Sequence, residues 1–306
     1  MNLETIKKIF AANNLLLPRS FRKIDVGFTN TVFAIDEEYI LKVCNDINNE
    51  QPFSLEAKLY ERFKTDLPVP QLIAFDATKK VLPNTYMLYQ MIAGENLYNV
   101  WHTYSEDTRK HIVKQLCDML RLISSVDVAE LAEYLEPVAS WKAIVLKRIE
   151  KYTAICSKAG TLTTSQVQKI KQFCSKYSDC LDEQRIALVY RDAHFDNILV
   201  KDSVIVGLLD FERTELASID FMLDIVKRMV EFPKKYMSEY AEQFAKDEDY
   251  AQLLDWYKEY YYELFDLEQL DRRLDLYSLA HDLEDLENWP SVQTLKDNID
   301  KVLSES

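Results

Sequence analysis

Glycine and proline are scarce in this chain, with 4 and 8 residues in all, which excludes collagen-like and low-complexity architectures. No apolar run approaches the ~18 residues that a bilayer-spanning helix needs. The stretch Met1–Lys8 opens like a helix and lacks the basic flank and apolar core of a signal peptide, so a cytoplasmic protein without membrane association is expected. The 5 cysteines, Cys44, Cys117, Cys156, Cys174 and Cys180, are odd in number and scattered. None has C-x-x-C spacing, which argues against a disulfide framework and a zinc knuckle; Cys117 and Cys174, on apolar helix faces, read as core. Positive charge is also short, 37 basic residues against 51 acidic for a net −14. The excess lies in the last third, where residues 210–306 hold 11 basic and 25 acidic side chains. That sign disfavours nucleic acid and anionic membrane as partners and suits a polycation.

What is present has a definite order. A chain of 306 residues at ~150 per domain suggests about two domains. Residues 3–15 read as a short amphipathic helix, and the period then falls to two. Apolar alternation at 21–26, 31–35, 39–43, 72–75 and 86–89, punctuated by turns at Gly27–Asn30 and Asp36–Glu38, predicts five antiparallel strands. A helix over 52–64 interrupts them, with Leu55, Leu59 and Phe63 on one face. Beyond Gly94 the pattern is helical, over 105–126, 129–135, 140–157, 164–180, 217–230, 236–265 and 268–288. The exception is a set of short β segments around loops at 187–211. The expected fold is α+β and two-lobed: a small sheet lobe over residues 1–93 and a large helical lobe over 94–306.

The chemistry concentrates in the loop Tyr190-Arg191-Asp192-Ala193-His194-Phe195-Asp196-Asn197 and in the strand end Leu208-Leu209-Asp210-Phe211-Glu212. Phosphoryl transfer needs a carboxylate to orient the attacking hydroxyl and take its proton, here Asp192. It also needs an amide oxygen and a second carboxylate to hold Mg²⁺ against the phosphates, here Asn197 and Asp210. The turn carrying Gly27, Thr29 and Asn30 offers backbone N–H groups to phosphate oxygens. If Leu41 and Val43 face one side of their strand, Lys42 faces the other, towards a nucleotide beneath the sheet. Glu56, on the following helix, is placed to pair with Lys42, and that pair would hold the α- and β-phosphates. Phosphate turn, strand lysine, helix glutamate, loop aspartate, asparagine, metal aspartate is the order of a kinase. His194 lies beside a better base and reads as a residue that positions backbone.

With these residues in this order, the chain resembles the aminoglycoside phosphotransferase family, the kinase-like small-molecule phosphotransferases that include choline and homoserine kinases. The resemblance runs over roughly residues 20–230. It implies a protein-kinase-like fold, ATP or GTP as donor, and Mg²⁺. It also implies a hinge before Gly94, with Tyr89 at the back of the purine slot and the backbone of Gln90 and Ile92 on the purine edge. Asp220 matches a further family aspartate that braces the catalytic loop. Tyr190 stands where the family usually has histidine, and Arg191 where it has glycine. These departures keep a non-catalytic nucleotide-binding relative in view. The acidic last third points to a small cationic acceptor, an aminoglycoside above all, with Glu212, Glu239, Glu242, Asp255 and Glu259 as candidate contacts. The aromatics Trp256, Tyr257, Tyr260, Tyr261 and Tyr262 would instead allow a cage for a quaternary ammonium such as choline, and a metabolite kinase acting on choline, an amino alcohol or a sugar is the alternative.

Overall fold

Side-chain alternation in the first ninety residues builds a sheet with two different faces. The computed structural model describes residues 1–24 and 30–304. Helix α1 (Leu3–Ala12) precedes β1 (Phe21–Ile24), β2 (Asn30–Ile35) and β3 (Tyr39–Cys44); helix α2 (Glu50–Phe63) follows, then β4 (Leu72–Asp76) and β5 (Tyr86–Gln90). The five strands are antiparallel in the order β1-β2-β3-β5-β4. Phe33, Ile35, Leu41, Val43 and Leu88 pack on Ile6, Ile9 and Phe10 of α1. Lys42 and Met87, opposite each other in register, point the other way, and Met87 joins Phe53, Leu55 and Phe63 of α2 in the main core. The lysine's orientation is thus a consequence of period-two geometry.

The crossing to the larger lobe is tight. A short strand β6 (Glu95–Asn96) leads into α3 (Leu97–Trp101) and α4 (Glu106–Ser124), and β6 pairs with β8 (Ile198–Lys201) through Glu95↔Val200 and Asn96↔Leu199. A Cβ on Gly94 would lie 2.8 Å from Val206 Cγ2 and 3.1 Å from Leu199 Cβ. One of the four glycines is therefore spent where the backbone entering the larger lobe lies against the hairpin that carries Leu199 and Val206. Gly94→Ala should cost about 1–3 kcal/mol, as overpacking does, read as a lower Tm; an unchanged melt would show that the hairpin yields freely.

The rest of the chain forms α5 (Trp141–Lys158), α6 (Thr164–Tyr177), β7 (Ile186–Tyr190), β8, β9 (Val204–Leu208), β10 (Thr214–Ser218), α7 (Leu223–Glu231), α8 (Glu239–Glu242), α9 (Leu253–Tyr260), α10 (Leu270–Asn288) and α11 (Gln293–Ser304). Three helical expectations are corrected. The segment 217–230 opens inside a strand, because Thr214–Ser218 ladders onto β7 from Thr214↔Tyr190 to Ser218↔Ile186; tertiary pairing overrides local pattern there. The segment 236–265 is not one helix but α8, α9 and short turns. Its aromatics are distributed around every side, so no single apolar stripe holds a long helix together. The segment 129–135 shrinks to one turn, Ala129–Leu131. Cys117 is buried, whereas Cys174 is only partly so. No helix among the described residues is long and apolar enough to cross a membrane.

Candidate active site

The lysine on β3 lies under the sheet among three carboxylates. Its Nζ is 2.7 Å from Glu56 Oε2, 3.2 Å from Asp210 Oδ1 and 2.8 Å from Glu212 Oε1. Lys42 and Glu56 are almost completely buried, which opposes their charges. Even against that burial, the three carboxylates keep Lys42 protonated, well above its ordinary range. Burial pushes the Glu56 carboxyl upward, with Lys42 pulling it back and Asp210 and Glu212 adding to the rise. Tyr60, one turn along α2, donates its hydroxyl to Glu56 Oε1 at 2.5 Å and accepts the Asp210 N–H at 3.1 Å. It therefore joins the helix glutamate to the backbone at Asp210. Its spacing, i+4 from Glu56, was visible in the sequence; its role was not.

Asp210 adopts a left-handed backbone, φ 56° and ψ 68°, a conformation uncommon outside glycine that aspartate tolerates better than most residues. The turn is held from below. Phe211 is fully buried, with its ring centroid 4.5 Å from Tyr190 in a stacked pair and 5.8 Å from Tyr60. Tyr190 donates its hydroxyl to the Leu209 carbonyl at 2.5 Å. The tyrosine that replaces the family's usual histidine thus supports the strand end that carries Asp210, by stacking and by a backbone hydrogen bond.

The catalytic loop leaves β7 and folds into a short turn at Phe195–Asn197. Asn197 donates Nδ2 to the Asp192 carbonyl at 2.9 Å, which fixes the side chain against the loop that carries Asp192. Its own carbonyl accepts the Leu209 N–H at 2.9 Å, which ties the loop to the strand end that carries Asp210. His194 Nε2 is 3.6 Å from Asp192 Oδ1, while its Nδ1 accepts the Asp196 N–H at 3.3 Å. His194 thus touches both the loop backbone and the Asp192 side chain. Burial alone would raise the Asp192 carboxyl, but His194, Arg213 and Arg191 outweigh it and hold it well below the usual carboxylate range. A carboxylate held ionised in this way can accept a hydrogen bond from a hydroxyl and so orient it. Asn96 donates to both the carbonyl and Oδ1 of Asp196, a contact across 100 residues that no local pattern announces.

Glu56, Asp210 and Glu212 can bring one carboxylate oxygen each to within 4.8 Å of one another. Three carboxylates face one lysine. This all-oxygen donor set, with an excess of negative charge, suits a hard divalent cation. Glu212, expected among the acceptor contacts, instead faces the nucleotide side: it is nearly buried, pairs with Lys42 and accepts from Asn30 Nδ2. Long reach across the cleft, not charge in the last third, decides its place. Gly27 and Thr29 lie outside the described residues. At the hinge, the Gln90 N–H is engaged by the Gln71 carbonyl and the Met91 N–H by the Glu38 carbonyl, so Gln90 offers only its carbonyl. Tyr89 packs edge-on against Tyr60 at 5.9 Å.

Other expected residues are dispersed. Glu239 and Glu242 are exposed on α8, which packs against α3. Asp255 is exposed on α9, and Glu259 pairs with Lys110 of α4 at 2.7 Å. Asp220 is fully buried and holds Arg273 of α10, with Nε–Oδ2 2.6 Å and Nη2–Oδ1 2.9 Å, and accepts from Tyr277 and Ser218. It therefore anchors α10, since its side-chain partners Arg273 and Tyr277 are on that helix and Ser218 is on β10. A cavity of about 480 Å³ lies among α7, α10 and α11, and Asp192 is not among its lining residues.

A two-lobed kinase-like fold with a buried lysine–glutamate pair above an Asp/Asn loop is the framework of a phosphotransferase. The family profile of the phosphotransferase enzyme family matches residues 20–260, and the chain belongs to that family. It is therefore an enzyme of the small-molecule kinase type. Among solved structures, aminoglycoside phosphotransferase APH(2'')-Ib with ADP bound is 15% identical, covers 99% of this chain and 97% of its own, and superposes with a TM-score of 0.72. The streptomycin–ATP ternary complex of APH(2'')-IIa is 16% identical over 97% and 95%, with a TM-score of 0.71. The GDP complex of aminoglycoside 2'-phosphotransferase-IIIa is 14% identical over 99% and 98%, with a TM-score of 0.72. At these identities the likeness concerns the fold. No curated protein sequence matches the chain significantly.

Proposed function

We propose that the enzyme transfers the γ-phosphoryl group of ATP or GTP to a hydroxyl of a small cationic acceptor, with an aminoglycoside as the favoured class. The observation that carries this reading is the convergence of Lys42, Glu56, Asn197 and Asp210 beside Asp192 at the junction of two kinase-like lobes. In it, Lys42 neutralises the α- and β-phosphates, held in place by Glu56. The Ile92 N–H and Gln90 carbonyl take the purine edge. Asp210, Asn197 and Glu212 would hold Mg²⁺, which supplies charge neutralisation on the β- and γ-phosphates when bound. Asp192 accepts a hydrogen bond from the acceptor hydroxyl. As the new O–P bond forms and the bond to the nucleoside diphosphate breaks, the hydroxyl proton passes to Asp192 Oδ.

The acceptor class rests on charge. The acidic excess of residues 210–306 favours a polycation, and Glu239 and Glu242 belong to the stretch after α7 that also stacks Tyr236 on His194 at 5.4 Å. That stretch is the proposed acceptor wall. Asp255 and Glu259, on α9, would contribute only at longer range. The test is release of nucleoside diphosphate with Mg²⁺ and a panel of aminoglycosides, amino alcohols including choline, and neutral sugars. Turnover on polyamine sugars is expected, with KM rising between low and physiological salt, where screening acts over ~8 Å. Salt-insensitive turnover confined to a neutral sugar or to choline would establish a metabolite kinase instead. Nucleotide binding with no turnover on any acceptor would establish a non-catalytic relative.

A further inference from the structure

A carboxylate on α10 holds the arginines beside both halves of the active site. Arg191 directly precedes Asp192, and Arg213 is three residues past Asp210. Glu284 Oε2 is 3.1 Å from Arg191 Nη2, and its Oε1 is 3.0 Å from Arg213 Nη2. The Arg191 N–H also donates to the Arg213 carbonyl at 3.3 Å. The two arginines differ in freedom. Arg191 is largely enclosed, with its guanidinium 5.1 Å from the Phe221 ring centroid. It has a second, more distant carboxylate in Glu215 at 4.0 Å, which is itself engaged by Arg148. The Arg213 side chain is 40% exposed and so has room to swing. Although partly buried, Glu284 is held down at about 2 by Arg191 and Arg213, so it is ionised at any working pH.

We infer that Glu284 is a positioning residue that keeps Arg213 off the catalytic carboxylate, an inference that rests on the assignment of Asp192 as the acceptor-orienting base. Arg213 already acts electrostatically on Asp192. Released from Glu284, its fork of donors is free to pair with another carboxylate, the strongest contact open to it, and the Arg191 N–H bond to its carbonyl ties it to the residue next to Asp192. An Asp192 bound to Arg213 has lost the lone pairs that the acceptor hydroxyl needs. The helix α10, far from Asp192 in sequence, thereby controls whether the base is free. Nucleotide binding, at Lys42 and the hinge, is untouched by this exchange.

The experiment compares Glu284→Gln with the double variant Glu284→Gln/Arg213→Gln. The single variant should lose at least ~10-fold in kcat, less than the ~10²–10⁴ of removing the base outright, with the Kd for ADP and Mg²⁺ within about twofold of wild type. The double variant should regain most of that loss, because no arginine remains to occupy Asp192. A purely structural role predicts the reverse, with the second substitution adding damage. Should Glu284→Gln fail to fold for want of a partner to Arg191, the same comparison is made in an Arg191→Gln background, which removes the buried cation as well. A kcat within about twofold of wild type in the single variant, or a double variant no faster than the single, overturns the inference. Asp192→Asn assayed alongside separates the two levels: near-normal turnover there rejects the base itself, whereas an inactive Asp192→Asn beside a fully active Glu284→Gln rejects Glu284 alone.

Discussion

Asp192→Asn is expected to lower kcat by ~10²–10⁴, the range that removal of a general base spans, with nucleotide affinity close to that of wild type. The asparagine keeps the shape of the side chain and loses the charge and the proton acceptor. The loop itself should survive, because it is held by the Asn197 Nδ2 bond to the residue 192 carbonyl, at 2.9 Å, which the substitution does not touch. The Leu209 N–H bond to the Asn197 carbonyl is also retained. Loss confined to kcat is the mark of an interaction made in the transition state and not in the ground state. Isothermal titration with ADP and Mg²⁺ beside steady-state turnover separates the terms. Wild-type-like kcat would remove Asp192 from the reaction, and a large loss of nucleotide affinity would show that the loop had been disturbed as a whole.

The parts legible in the sequence were those fixed by short-range geometry. Period-two alternation placed Lys42 on the face opposite Leu41 and Val43, and the structure packs those two against α1 while Lys42 meets Glu56. The five strands came from the same signal. Spacing inside one loop was enough to bring Asn197 onto the Asp192 carbonyl. What was not legible depends on distant partners. β10 is a strand only because β7 is beside it, and its own residues read equally well as the start of a helix. Glu212 was assigned by the sign of its region, but one residue beyond Phe211 it projects towards Lys42, 170 positions earlier. Glu284 had no signal at all, since one glutamate in an acidic helix is indistinguishable from a solvated one until its two arginine partners are known. Tyr190 is the converse case. As a departure from the family pattern it suggested a lost function, yet its hydroxyl and ring still support the residues around Asp210.

Asp210→Ala should weaken Mg²⁺-dependent nucleotide binding by at least ~100-fold, the upper end of what losing even a supporting partner of a metal ligand costs. A hard cation gains most from ionised oxygen ligands, and Asp210 is the most accessible carboxylate of the three, with 43% of its side chain exposed against 9% for Glu212 and 1% for Glu56. The roof of the site should persist without it, because Lys42 keeps Glu56 at 2.7 Å and Glu212 at 2.8 Å. Alanine also adopts the left-handed backbone at this position less readily than aspartate, so the alanine variant is paired with Asp210→Asn, which tolerates that conformation and removes only the charge. Both should lose the metal-dependent component, whereas nucleotide binding measured with excess chelator should be nearly the same in wild type and in both variants. Asn197→Ala, which removes a neutral oxygen, should cost less than either. If the asparagine variant binds nucleotide as tightly as wild type at limiting Mg²⁺, Asp210 is not the principal metal ligand, and the assignment passes to Glu212, the next carboxylate along the same turn.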